Sequence, residues 1–275
     1  MARIRKDLQF CYLCGRRVDR RHGDNTYRVI DGDHLLPQAL FGPAPCKDAW
    51  RPKLDVHAEC HKKLKNEAGE STAILLHKVY TEAGPDIEHR GWVPRLRSLG
   101  LELATMMDGA TGETLYCVKG FGAAFDAVWV WVRGLHAAIY QSFLPDRMKH
   151  RVYAPMGEAF IPEADASPRM KRRAYGPRDD EEKKEYLDRI MTYALKTQQF
   201  DGLCCWGGRC AFVSTWLPKN RHVKMARCVW ALEYDHVTEY AHGTPFMSWP
   251  WMGWYECIHP SRPRQILELP KDRAL

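Results

Sequence analysis

Two short knuckles constrain this chain more than any other feature: Cys11-Tyr12-Leu13-Cys14-Gly15, and His57-Ala58-Glu59-Cys60 further along. Ligands three positions apart on a tight turn point at one ion, and Gly15 permits that turn. Two such pairs make a closed tetrahedral Cys3His site, so one structural Zn2+ is expected on Cys11, Cys14, His57 and Cys60. Cys46 is an alternative fourth ligand in place of His57, and two unrelated thiol clusters are the plainer reading.

The compartment decides how ten cysteines are read. The opening MARIRKDLQF has no apolar stretch of signal-peptide length. The most apolar run, Phe121 to Val132, contains Asp126, ends at Arg133, and is too short to span a bilayer. A cytoplasmic chain with no membrane span is expected, and in a reducing compartment spaced cysteines are metal ligands or core thiols rather than disulfides. The net charge is +7, and residues 1–65 hold 14 Lys and Arg against 8 Asp and Glu, so nearly all of the excess sits there. Such a segment suits a polyanionic partner or forms a solvated basic face.

Between the knuckles lies Asp31-Gly32-Asp33-His34-Leu35-Leu36-Pro37-Gln38-Ala39-Leu40, and His61 follows the second knuckle directly. In this order, over about residues 8–66, the chain resembles the HNH endonuclease family, the ββα-metal nucleases, in its zinc-bearing branch. The resemblance implies a metal-dependent endonuclease that hydrolyses phosphodiester bonds of DNA. It makes His34 the general base and Asp33 and His61 the holders of a catalytic divalent cation, Mg2+ or another. An imidazole titrating near neutrality suits proton removal from water, and a cation suits the charge on the phosphate. Asp33 and His34 are neighbours, which an ideal strand sends to opposite faces, so they converge only where a strand ends or bends; Gly32 offers a bend. Cys60 and His61 diverge by about 100° on a helix, so one can face the zinc and the other the catalytic cation. The chain departs from the family in the stretch Lys47 to Leu54, which has no Asn where many members carry one. Phage-related, defence, homing and repair proteins all use such modules. The candidate phosphate contacts are Arg16, Arg17, Lys62 and Lys63. The competing function is a zinc-knuckle module without catalysis, which binds nucleic acid or a protein partner.

The expected fold is α+β: a small zinc-stapled ββα-metal module over residues 1–85, then a larger mixed α+β domain over 86–275 that selects substrate or binds a protein partner. Val29-Ile30 and Leu35-Leu36 around Gly32 read as strand, turn, strand. A helix is expected over His57 to Asn66, and a second capped by Ser71 with Ile74, Leu75 and Val79 as its stripe. Residues 84–118 read as loops with short strands. Phe125, Val128, Trp129, Val132, Leu135, Ile139 and Phe143 recur at helical steps and stop near Pro145. Residues 161–184 read as a loop, and Glu182 to Gln198 as a helix. Cys210 to Trp216, Val223 to Tyr234 and Phe246 to Cys257 read as strands. Six of the ten tryptophans fall between Trp206 and Trp254; they either stack bases or fill the core. Cys204, Cys205, Cys210, His222 and Cys228 are either a second zinc site or, given their irregular spacing, buried thiols. His136 falls on an apolar face and reads as a satisfied core residue.

Overall fold

The computed structural model describes residues 8–18, 29–37, 52–65, 70–74, 92–107, 114–119, 122–153, 179–205, 210–217, 225–234 and 251–260. Helices and antiparallel sheets mix along the chain, so the fold is α+β. Strand β1 (Val29–His34) pairs antiparallel with β2 (Lys53–His57), setting Asp33 opposite Leu54 and His34 opposite Lys53. This differs from the expected strand, turn, strand over residues 29–36. Gly32, at φ +73°, sits at a register irregularity inside one strand, and its amide donates to Asp55 Oδ1 at 3.0 Å. A bulge absorbs the bend that the glycine signalled. Leu35 and Leu36 then leave the ladder for the core.

β2 runs directly into α1 (Ala58–Cys60), which continues as a π-helical turn, His61–Lys65. Residues 70–74 are helical, with Ser71 already inside the turn rather than capping it. Leu75 and Val79 lie outside the described residues. Helix α2 (Trp92–Ser98) occupies part of the expected loop region, followed by the hairpin β3 (Glu102–Met107) and β4 (Thr114–Lys119). Pro94 reads as a loop signal in the sequence, yet it stands in the first helical turn, where no backbone N–H is required.

Helix α3 (Gly122–Tyr140) is buried at every position from Ala127 onward. It stops where Gln141 takes a φ of +50° and its amide bonds to the Ala137 carbonyl at 2.9 Å, a left-handed C-terminal cap. After it come β5 (His150–Tyr153), α4 (Asp179–Thr197), β6 (Asp201–Cys205), β7 (Cys210–Trp216), β8 (Ala226–Tyr234) and β9 (Trp251–Cys257). The five strands form one antiparallel sheet in the order β5-β9-β8-β7-β6. Strand alternation puts Cys228, Trp230 and Leu232 in the core that α3 shares, and Val229 and Ala231 in the core of Leu187, Met191 and Ala194 from α4. The sheet is thus covered on both faces, which explains why so much of its sequence is apolar. Trp216 and Trp230 are core residues.

A polar seam runs through the α3 side of that core. His136 Nδ1 lies 2.7 Å from the Tyr255 hydroxyl, Tyr140 donates to Asp201 Oδ2 at 2.8 Å, and Trp216 Nε1 donates to the Tyr140 oxygen at 3.0 Å. Burial holds His136 down at about 3, so it is neutral in the fold. On unfolding it regains a value near 6.5 and binds a proton wherever the pH lies between those two values. The unfolded state then carries more protons, so stability present above pH 6.5 drains away as pH falls toward 3. We expect the wild type to lose about 2 kcal/mol more than His136→Gln between pH 7 and pH 5, read from urea unfolding at both values. Equal losses in the two proteins would show that another group drives acid sensitivity.

The amino-terminal segment packs on α3 in the same continuous core, which joins Leu8, Tyr12, Leu35 and Val56 to residues of α3 and of the sheet. Arg133, 1% exposed, spans the junction. Its guanidinium donates to the Leu13 carbonyl at 2.7 Å and the Leu144 carbonyl at 2.9 Å, and it meets Asp146 Oδ1 at 3.1 Å.

Candidate functional site

The first knuckle turns at Gly15, whose amide donates to the Cys11 carbonyl at 2.8 Å while the Cys11 amide donates to Arg16. Gly15 has a φ of +77°, and a Cβ there would come within 2.7 Å of the Phe143 ring. Both facts demand glycine. The second knuckle begins at His57, the last residue of β2 and the N-cap of α1, so the strand-to-helix corner aims its ring at the first knuckle.

Cys11, Cys14, His57 and Cys60 bring their ligand atoms within 4.8 Å of one another. A tetrahedral zinc with Zn–S bonds near 2.3 Å needs ligand atoms about 3.8 Å apart, so this donor set fits the ion. His57 Nδ1 stands 3.3 Å from Cys14 Sγ and 4.0 Å from Cys60 Sγ, while Nε2 donates to the Arg17 carbonyl at 3.2 Å. That outer bond fixes the tautomer and leaves Nδ1 as the ligand. These four residues could hold a metal ion and are compatible with a structural zinc. Burial raises the Cys11 thiol and pushes Cys60 up to about 12. Zinc binding therefore has to expel those protons. Cys46 lies outside the described residues.

The full chain is expected to carry one zinc, and Cys14→Ser to carry less than about half an equivalent, with a lowered unfolding midpoint. Elemental analysis beside thermal unfolding checks both. Zinc retained at full occupancy in Cys14→Ser would remove that residue from the ligand set.

One turn away, Asp33 is 7% exposed and forms a second centre. His61 Nε2 lies 3.2 Å from its Oδ1, so the structure brings together the two residues expected to hold a catalytic cation. Two residues the sequence reading passed over complete the cluster. Tyr12, a spacer inside the first knuckle, donates its hydroxyl to Asp33 Oδ2 at 3.1 Å. Burial first, then Asp33, drives that phenol well above its usual range, which keeps the proton on it. Lys65, only 3% exposed, places Nζ 3.0 Å from Asp33 Oδ1 and 3.1 Å from Oδ2, and also bonds to the His34 carbonyl. The sequence signal for Lys65 is its i+4 spacing from His61, which puts both on one helical face. Glu70 stands close enough for Lys65, Asp33 and His61 to influence it; burial raises its carboxyl most, and Trp131 Nε1 donates to it at 3.3 Å.

His34 ends β1 half-buried. Its carbonyl accepts a bond from Lys65 of the Asp33 cluster. Arg16, Arg17, Lys62 and Lys63 are exposed around the two knuckles. Among the candidates for a second zinc site, Cys210 and Cys228 are buried thiols. Cys210 pairs with Tyr234 and Cys228 with Trp216, at opposite ends of the β7–β8 ladder. Six strand residues span roughly 20 Å, too far to share an ion. His222 lies outside the described residues, as do the side chains of Cys204 and Cys205. Among the described residues no helix is long and apolar enough to cross a membrane.

No family model matches the chain, and neither a curated protein nor a solved structure does.

Proposed function

We propose that this chain is an HNH-type endonuclease whose amino-terminal residues, 1–85, form a zinc-stapled ββα module that hydrolyses phosphodiester bonds of DNA in the cytoplasm. The observation that carries the reading is one corner of the fold. Cys60 joins the Cys3His cluster, and His61, the very next residue, reaches Asp33 at 3.2 Å. A structural metal would thereby fix the helix that presents a second, polar centre.

In this reading His34 takes the proton from an attacking water. The water oxygen forms the new bond to phosphorus, the bond to the 3′ oxygen breaks, and that oxygen leaves with a proton from solvent. Arg16, Arg17, Lys62 and Lys63 hold the backbone phosphates, sequence-independently and with strong dependence on salt. The remainder of the chain, 86–275, selects the substrate or a protein partner. The divalent cation that the resemblance places on Asp33 and His61 does not fit the site as it stands, because Lys65 already occupies both oxygens of Asp33. That same contact favours a second reading, a module that grips nucleic acid without cutting it.

The test is incubation of the zinc-loaded full chain with plasmid, linear and single-stranded DNA and with RNA, with and without Mg2+ or Mn2+. Cleavage of DNA supports the nuclease reading. Salt-sensitive binding with no cleavage under any condition overturns it in favour of the second.

A further inference from the structure

We propose that the Lys65 ammonium is the resident cation of the Asp33–His61 centre, filling the place where a divalent ion is expected. This inference takes from the nuclease reading only the place where a second cation is expected.

The argument is a count of lone pairs. A carboxylate offers about four acceptor positions, two on each oxygen. Asp33 Oδ1 faces Lys65 Nζ at 3.0 Å and His61 Nε2 at 3.2 Å. Oδ2 faces Lys65 Nζ at 3.1 Å and the Tyr12 hydroxyl at 3.1 Å. Lys65 and Tyr12 take three of these positions and the fourth faces His61, so neither oxygen is free of the ammonium. A Mg2+ or Mn2+ ion bound at about 2.1 Å from either oxygen would also stand within a few ångströms of the ammonium. Lys65 cannot easily step aside. Its side chain is 4% exposed, and it is anchored a third time by the His34 carbonyl. Freed from Asp33 it would be a buried charge left with only the nearby Glu70, whose own carboxyl burial already pushes toward the neutral form.

The placement follows from the chain. His61 and Lys65 open and close the π-helical turn, so both reach the end of β1 from the same side. By gripping Asp33 and the His34 carbonyl together, Lys65 ties that turn to the strand end. It is thus a positioning residue for His34, acting through the backbone, and too deep to touch a phosphate itself.

Electron paramagnetic resonance of Mn2+ added to the zinc-loaded full chain tests this without reference to cleavage. The wild type is expected to bind no more Mn2+ than Asp33→Asn at concentrations up to about 1 mM. Lys65→Met, which keeps length and removes charge, is expected to gain an Asp33-dependent site at least about tenfold tighter, while Lys65→Arg stays like the wild type. Zinc content reports whether each variant is folded, and a lysine that served packing alone would create no Mn2+ site when replaced. The proposal is overturned if the wild type binds one Mn2+ that Asp33→Asn abolishes, whether or not Lys65→Met folds. It is equally overturned if folded, zinc-loaded Lys65→Met binds no more Mn2+ than the wild type. A wild type that binds no Mn2+ and cuts nothing removes the nuclease reading and leaves this one standing.

Discussion

If the proposed nuclease reading holds, His34→Ala is expected to slow cleavage by about 10²–10⁴-fold, the usual cost of removing a general base, while zinc content and DNA affinity stay near wild type. The structure supplies the reason for the separation. One contact that ties His34 to the Asp33 cluster is made by its carbonyl, which alanine retains, so Lys65 keeps its anchor. The candidate zinc ligands stand on the first knuckle and on the β2–α1 corner, not on β1. What the substitution removes is an imidazole whose proposed work lies in the transition state, and ground-state binding is therefore spared. His61→Ala differs, because it also removes one of the three groups on Asp33. Single-turnover rates on a plasmid, with zinc measured in the same preparation, decide the matter. A variant that cuts as fast as wild type would end the assignment of His34 as base, and loss of zinc would show that β1 supports the metal cluster after all.

Arg133→Ala is expected to cost about 3–5 kcal/mol of stability, the combined order of removing a large buried side chain and leaving two buried acceptors unpaired. The ion pair with Asp146 contributes little to that figure, since the aspartate side is 61% exposed and solvent screens it. The cost comes instead from the Leu13 and Leu144 carbonyls, each left in a dry interior without its donor, and from the cavity beside α3. Burial already draws the guanidinium below its ordinary value, with Asp146 opposing, which shows how much of its hydration the fold has replaced. Arg133→Lys should recover only part of the loss, because one ammonium cannot serve carbonyls lying in different directions. Because Leu13 lies inside the first knuckle, the variant should also give up zinc to a chelator faster. Urea midpoints at constant slope and chelator kinetics test both, and a loss below about 1 kcal/mol would contradict the account.

The sequence reveals the parts of this molecule whose chemistry is local. The knuckles are legible because ligand spacing is set by a single turn, and their four side chains do meet. Helix α3 is legible because its apolar residues recur at helical steps, and the three longest strands of the sheet because they are dense in apolar and aromatic residues. Contacts that depend on where distant elements pack leave no such trace. Lys65 reads as one of several basic residues on a surface turn until its carboxylate partner on β1 is in place. Tyr12 reads as a spacer until β1 docks beside it. Gly32 announces a bend, but whether that bend is a turn or a bulge depends on β2, which comes some twenty residues later. The short strands β5 and β6 draw their stability from neighbours in the sheet rather than from their own residues, so nothing local marks them.

The junction at Arg133 also sets an order of events during synthesis. Leu13 waits for a donor 120 positions downstream, and Tyr12 waits for the same side chain. At a translation rate of about 5–20 residues per second, that delay is roughly 6–24 s. Until then the knuckle emerges from the ribosome with Tyr12, Leu35 and its neighbours exposed, and β1–β2 pairing together with a metal on the candidate Cys3His cluster would be the local means of holding the segment in shape. A nascent chain starved of zinc during that interval would present an apolar surface to chaperones rather than to α3.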